Sequence, residues 1–212
     1  TSTSASSQQY MALLLRPLLH ADRGEWEEAL VLVERALRPD PSERVSIRML
    51  IEALHGELLL RLGRLEEADR ALRQTLERSE RQGIPAGSIR AGVVFGELAL
   101  AQGQLEEAER RLLEVWRRCA AGPSRNPLHQ ALCARLLGDV HLARSRAAGS
   151  AELGSAELAS ARARYEEALA ITGSPEQDNL LEQGRLLRRL AGLDLAAGAT
   201  DEARPRLERS RE

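Results

Sequence analysis

Few residues in this chain have the capacity for chemistry. Among its 212 residues are two cysteines and four histidines, and four of these six, Cys119, His129, Cys133 and His141, fall close together in the sequence. If that segment is helical, His129 and Cys133 share a face at i,i+4 while Cys119 closes the preceding element, a spacing that admits a zinc site. Cys133, however, lies one residue after the apolar stripe position Leu132, and an isolated buried cysteine behaves as a small hydrophobe. We therefore expect no metal. Carboxylates suited to acid–base work recur as Glu57, Glu97 and Asp139, but no nucleophile accompanies them. All 30 basic residues are arginine. Without lysine there is neither a Gly-Lys-Ser/Thr phosphate loop nor a Schiff-base residue. No Gly-x-Ser-x-Gly elbow and no His-Glu-x-x-His pair occurs. No catalytic residue, cofactor or enzymatic activity is expected.

The carboxylates belong to a repeat. Gly56-Glu57-Leu58 through Gly63-Arg64-Leu65-Glu66-Glu67-Ala68 overlays Gly96-Glu97-Leu98 through Gly103-Gln104-Leu105-Glu106-Glu107-Ala108 at an offset of 40 residues. Self-similarity at such a period marks stacked supersecondary units. Leu65, Ala68, Leu72 and Leu76 step by three and four, as do Leu105, Ala108, Leu112 and Val115, so each run is one apolar stripe on a helix. The segment before each glycine is also apolar with helical period. Gly63 and Gly103 fall where one helix ends and the next begins, since glycine accepts the positive φ of a helix terminus. The Glu-Glu pairs then occupy the first turn of the second helix, where the macrodipole favours them. Such a hairpin cannot bury both faces alone and must stack on copies of itself.

Gly24-Glu25-Trp26-Glu27-Glu28-Ala29 and Gly198-Ala199-Thr200-Asp201-Glu202-Ala203 carry the same signal, and Tyr165-Glu166-Glu167-Ala168 reads as a copy without its glycine. Gly138-Asp139 matches Gly56-Glu57 and Gly96-Glu97. On these residues the chain resembles the tetratricopeptide-repeat family over roughly residues 10 to 211. In the first unit the match extends to Ala36 and Pro41. The spacing of 39–42 residues departs from the 34 usual for that family, and most units lack the closing proline, so the pattern looks like the long-helix variants of bacterial regulators and signalling scaffolds. The resemblance implies an all-α solenoid of about five antiparallel helix pairs wound as a right-handed superhelix.

Composition agrees with helix packing. Hydrophobic residues are 43% of the chain but aromatics only 2%, so the core is leucine and alanine, and alternation that would mark a strand is scarce. A net charge of −2 gives no electrostatic reason to expect nucleic acid or an anionic membrane. The charges are interspersed, as in the i,i+4 pairs Glu66/Arg70 and Asp69/Arg73, which read as a solvated helix face. No run approaches the ~18 apolar residues of a membrane span.

Along the chain, residues 1–9 are expected to be a disordered lead-in and 10–212 a single repeat domain, with units at about 10–41, 42–83, 85–122, 124–172 and 174–211. Pro17 should kink the first helix or delay its start. Pro39-Asp40-Pro41 should end the second, with Ser42 capping the third. Gln82-Gly83-Ile84-Pro85 and Ala121-Gly122-Pro123 should close the next two units. Asn126-Pro127 is a clean helix start. Ser174-Pro175-Glu176-Gln177 reads as a capping box, and Pro205 falls inside the last helix. The period breaks once: Ala168 follows Ala108 by 60 residues instead of 40. We place the excess between Ser145 and Ala163 as an extended hairpin loop leading into a long helix. The chain stops mid-pattern at Glu212, which reads as one module of a larger protein.

The resemblance also places a binding face. In the family the first helices of the pairs line the concave side, and the residue after each mid-helix glycine faces the groove. That gives Glu57, Glu97 and Asp139, with Leu60, Leu100 and Leu142 one turn on, Ala53, Val93 and Arg135 one turn back, and Arg90, Arg135 and Arg188 along the same wall. The expected partner is a protein or peptide segment in this groove, with apolar anchors and basic residues to meet the acids. The expected setting is a scaffold or adaptor within a larger cytoplasmic bacterial signalling or regulatory protein. A ligand-sensing domain that gates an attached effector is the alternative. If the acids stand on an open surface, reversing Glu57 and Glu97 to arginine should leave stability unchanged. Leu72→Ala or Leu112→Ala should each cost ~2–5 kcal/mol in urea unfolding, because only neighbouring repeats can fill the space; a loss below ~1 kcal/mol would mean that the stripe register is wrong.

Overall fold

The structure, a computed structural model, describes residues 14–38, 45–120, 125–174 and 179–211. Among these residues there are helices and turns and no strand. The helices are α1 (14–22), α2 (Trp26–Ala36), α3 (Val45–Arg61), α4 (Leu65–Gln82), α5 (Pro85–Ala101), α6 (Leu105–Ala120), α7 (Pro127–Ala147), α8 (Ala151–Thr172), α9 (Leu180–Ala196) and α10 (Thr200–Arg209). They fall in two compact units, residues 1–98 and 99–212. The chain is an all-α repeat protein.

One turn is used repeatedly. Gly24, Gly63, Gly103 and Gly198 all have φ between 74° and 78°, and each connects the first helix of a pair to its second. In every case the glycine N–H bonds the carbonyl three residues back, and the next N–H bonds the carbonyl five residues before it: Gly63 to Leu60 and Arg64 to Leu59, Gly103 to Leu100 and Gln104 to Ala99. Two carbonyls that a helix end would leave bare are thereby satisfied by a left-handed residue. Gly83 closes α4 in the same way. Asn126 caps α7 by accepting from the His129 N–H at 3.1 Å, as Asn126-Pro127 foretold.

In the N-terminal unit the core gathers Ala29, Leu30 and Val33 of α2, Leu54 and Leu58 of α3, Ala68 and Leu72 of α4, and Val94, Phe95 and Leu98 of α5. The two helices of a pair approach most closely at a glycine. A Cβ on Gly56 would stand 2.5 Å from Leu72 Cδ2, and one on Gly138 would stand 2.4 Å from Tyr165 Cε1. Both are closer than any side chain could occupy without displacement. A third contact, Gly87 of α5 against Met49 and Ser79, lets α5 settle on the α3/α4 pair.

The crossing at Tyr165 corrects the register of the fourth unit. Buried positions run Ala68, Leu72, Thr75, Ser79 on α4, Ala108, Leu112, Val115, Cys119 on α6, and Ala161, Tyr165, Ala168, Thr172 on α8. Ala161, not Ala168, is therefore the counterpart of Ala68 and Ala108. Glu166 and Glu167 lie deep within α8 and not in its first turn. Their likeness to the Glu-Glu-Ala motif arises because Ala161 and Ala168 sit one heptad apart on the same stripe. The excess residues are not a loop either. They lengthen both helices, so that α7 reaches Ala147, α8 starts at Ala151, and Ser145 Oγ donates to the Gly154 carbonyl at 3.0 Å across the tip.

Asn179 caps α9, accepting from the Glu182 N–H at 3.0 Å. Pro17 is buried within α1, and Pro205 lies inside α10. The readings of residues 1–9, Pro39-Asp40-Pro41, Ser42, Ala121-Gly122-Pro123 and Pro175–Gln177 lie outside the described residues.

The crossing glycines make a direct prediction. Gly56→Ala should cost about 1–3 kcal/mol, as overpacking does, and markedly less in a Leu72→Ala background, where the clashing side chain is gone. Equal costs in the two backgrounds, measured by urea unfolding, would refute the close approach.

Candidate functional site

The first helices of the pairs carry the residues that the repeat pattern singled out, and their carboxylates are tied to arginines of a neighbouring first helix. In the N-terminal unit, Arg90 of α5 donates to Glu57 of α3 at 2.7 Å. Arg61 of α3 donates back to Glu97 of α5 through both terminal nitrogens, at 2.9 and 3.3 Å. Two crossed pairs thus bridge α3 and α5. The wall consequently alternates in sign: Arg90, expected to add positive charge along it, reaches back to the carboxylate of the preceding pair, and Arg61 reaches forward to that of the next.

The C-terminal unit does the same at greater depth. Arg189 of α9 grips Asp139 of α7 with two parallel bonds of 2.6 and 2.9 Å. Tyr165 of α8 donates its hydroxyl to the same carboxylate at 2.7 Å, and Arg135 adds a fourth bond at 3.2 Å. Arg135 also binds Glu182 of α9, which is only 2% exposed. Burial works against the charge on Arg189, but the bond to Asp139 together with the charges of Asp139, Tyr165 and Glu182 outweighs it and holds that guanidinium above its ordinary pKa. Burial, the Asp139 charge and the hydroxyl's bond to Asp139 push the Tyr165 phenol well up, so that it stays a donor.

Of the other residues assigned to the groove, Ala53, Leu60, Val93 and Arg135 are buried, so they support the wall and do not offer surface. Leu100 and Leu142 are half-buried and Arg188 is exposed, with one nitrogen 3.3 Å from the Ser210 carbonyl. Glu57 and Glu97 are ion-paired, so reversing both would set four arginines together, and the expectation of unchanged stability does not hold. Among the cysteines and histidines, Cys119 and Cys133 are buried. Burial, and secondarily the neighbouring Cys119, push the Cys133 thiol far up. His141 Nδ1 lies 2.6 Å from Glu157 on α8. Among the described residues no three His, Cys, Asp or Glu side chains converge on a point that would hold a metal ion, and no helix is long and apolar enough to cross a membrane.

Sequence reasoning missed Asp194. It sits on α9 among leucines, is fully buried, and bonds Arg162 of α8 at 2.7 Å and Arg206 of α10. An acid at a stripe position was the available signal, and it points to a buried counter-charge on a neighbouring helix.

Glycine-turned helix pairs, crossing at a small residue and stacked through their first helices, define the tetratricopeptide-repeat fold, and this chain has it. Solved structures share the fold at low identity. BtubC (BKLC) from P. vanneervenii superposes with a TM-score of 0.65 at 17% identity, covering 94% of this chain and 77% of that one. A signal transduction ATPase with numerous domains and a tetratricopeptide-repeat sensor, from Pyrococcus horikoshii, gives 0.67 at 18%, over 96% of this chain and 29% of the larger protein. A kinesin light chain with nearly identical repeats from Podosopora anserina gives 0.59 at 18%, over 96% and 93%. No family model matches the sequence, and no curated protein does.

The buried acid fixes a pH dependence. Burial raises the pKa of Asp194, but its bonds to Arg206 and Arg162 overcome this and leave the carboxyl below its ordinary range. A carboxylate with a lowered folded pKa contributes stability that is complete above its unfolded pKa and is lost as pH falls through the folded one. Asp194→Asn should therefore cost about 3 kcal/mol at neutral pH, the low end for a broken buried pair since both arginines reach solvent. The cost should shrink on acidification, and an equal cost at pH 7 and in strong acid would contradict the assignment.

Proposed function

We propose that the chain is a non-catalytic protein-binding module, and that it takes an extended or helical segment of a partner along the first helices of its repeats. The observation that carries this reading is the exchangeable charge on the α3/α5 wall. Glu57 and Arg90 keep 27% and 24% of their side chains exposed, and Glu97 and Arg61 keep 20% and 39%. Pairs open to solvent to this degree hold by at most about 1 kcal/mol. A partner's own guanidinium or carboxylate can replace one member at little cost, so the wall can read alternating charge beside the partner's apolar anchors. The units at about 10–41, 42–83, 85–122, 124–172 and 174–211 act together as one repeat domain. The setting we infer is a scaffold or adaptor in a larger bacterial, cytoplasmic signalling protein.

A second reading has its own observation. Beside α3 and α4 lies a cavity of about 400 Å³ lined by Arg48, Glu52, His55, Arg70 and Arg78. Burial holds His55 below its ordinary pKa, so the cavity presents a neutral imidazole among guanidiniums. A small ligand there would make the chain a sensor, the role named for the repeats of the Pyrococcus protein.

The peptide reading is tested by a charge swap. Peptides selected from a random library on the intact chain should carry apolar anchors flanked by charge. The variant Glu57→Arg with Arg90→Glu keeps the internal pair and reverses its polarity, so its melting temperature should hold while affinity for those peptides falls at least tenfold, about 1.4 kcal/mol. Unchanged affinity in the folded variant would place the partner elsewhere.

A further inference from the structure

The cavity beside α3 and α4 is lined on one side by a row of hydrogen-bond donors. Arg70, Gln74 and Arg78 of α4 all face it, and they step by four, so they form one stripe along the helix, each about 6 Å above the last. Arg70 and Gln74 are exposed, and Arg78 keeps 42% of its side chain in solvent.

The carboxylates of the lining do not cancel this row. Glu67 is held by Arg64, which stands outside the cavity, through two parallel bonds of 2.7 and 2.6 Å. Glu52, 12% exposed, accepts with one oxygen from both Arg48, at 3.1 Å, and Arg78. Arg48 also donates to the Leu37 carbonyl at 3.0 Å, where a cation is favoured at the C-terminal end of α2. Arg78 therefore shares its carboxylate with a second arginine. Arg70 holds a helix carbonyl, that of Glu66, at 3.3 Å, a long bond that a ligand can replace. Among the described residues three guanidiniums face two carboxylates here. Burial, against the pull of Glu34, holds His55 below its ordinary pKa and so keeps it neutral.

Leu37, Leu59 and Ala71 give the cavity an apolar side, and its volume of about 400 Å³ admits a molecule of metabolite size.

We propose, taking the cavity as the ligand site of the second reading above, that it binds a small phosphate monoester, with the phosphate on Arg70, Gln74 and Arg78 and the organic body against Leu37, Leu59 and Ala71. A phosphate monoester offers three terminal oxygens and close to two negative charges near neutrality, so it can accept from every donor of the row. A carboxylate has two oxygens and one charge. Guanidinium forks bond phosphate oxygens in pairs. Arg78 has further N–H groups beside the one given to Glu52, so Glu52 can hold that side chain in place while it binds.

Calorimetric titration of the whole chain with phenyl phosphate, inorganic phosphate, benzoate and benzyl alcohol tests this. Phenyl phosphate should bind one to one, at least tenfold more tightly than each of the others, and should shift the His55 ring resonances, assigned with His55→Gln. Arg70→Gln and Gln74→Glu lie on exposed helix surface, so each should keep the melting temperature while weakening phenyl phosphate at least tenfold. Inorganic phosphate bound as tightly as phenyl phosphate would mean a site for the free ion. Benzoate or benzyl alcohol bound as tightly, with His55 shifted, would mean a ligand cavity that does not select phosphate. Either result overturns the proposal and leaves the cavity as a ligand site, as does phenyl phosphate binding that neither variant weakens. If none of the four compounds shifts His55, the proposal and the ligand site fall together.

Discussion

The close crossing of two helices at a glycine is what the rest of the structure depends on. With Gly56 against Leu72 and Gly138 against Tyr165, the second helix has no room for even a methyl group beyond the backbone of the first. The position of the crossing then fixes which residues of the first helix face their own partner, which face the preceding pair and which remain toward solvent. A larger residue at the crossing would rotate that whole allocation, because the interior is close-packed and does not deform continuously.

Arginine is the second determinant. A chain whose basic residues are all arginine can join carboxylates through two parallel bonds, which an ammonium does not supply. Arg189 on Asp139 and Arg61 on Glu97 use that geometry. The same chemistry serves two ends according to depth. Glu182 and Asp194 are buried, and removing an arginine from either would strand a charge. Around Glu57 and Glu97 the pairs are open to solvent and exchangeable, which is why the recognition surface is assigned to the α3/α5 wall and not to its deeper counterpart in α7 and α9.

The fold was legible because its signals are local. Glycine at a left-handed turn, Glu-Glu in the following turn and a leucine stripe each follow from one helix and its termini, so Gly24, Gly63, Gly103 and Gly198 could be placed without tertiary information. The fourth unit was misread because a stripe repeats every seven residues, and Ala168 looks like Ala161 until Tyr165 is seen against Gly138. The site was less legible. The sequence put Glu57, Glu97 and Asp139 at equivalent places and Arg90 on the same wall, but Arg61 and Arg189, which meet Glu97 and Asp139 from 36 and 50 residues away, were not found. Leu60 and Val93 passed for surface because a stripe shows which face a residue takes and not what covers it.

Hydrogen exchange of the chain with and without a selected peptide tests the central functional claim most directly. The account predicts slowed exchange along α3 and α5, around Glu57, Arg61, Arg90 and Glu97, with α4 unaffected. Protection confined to α4 or to the tip between α7 and α8, with α3 and α5 unchanged, would contradict it.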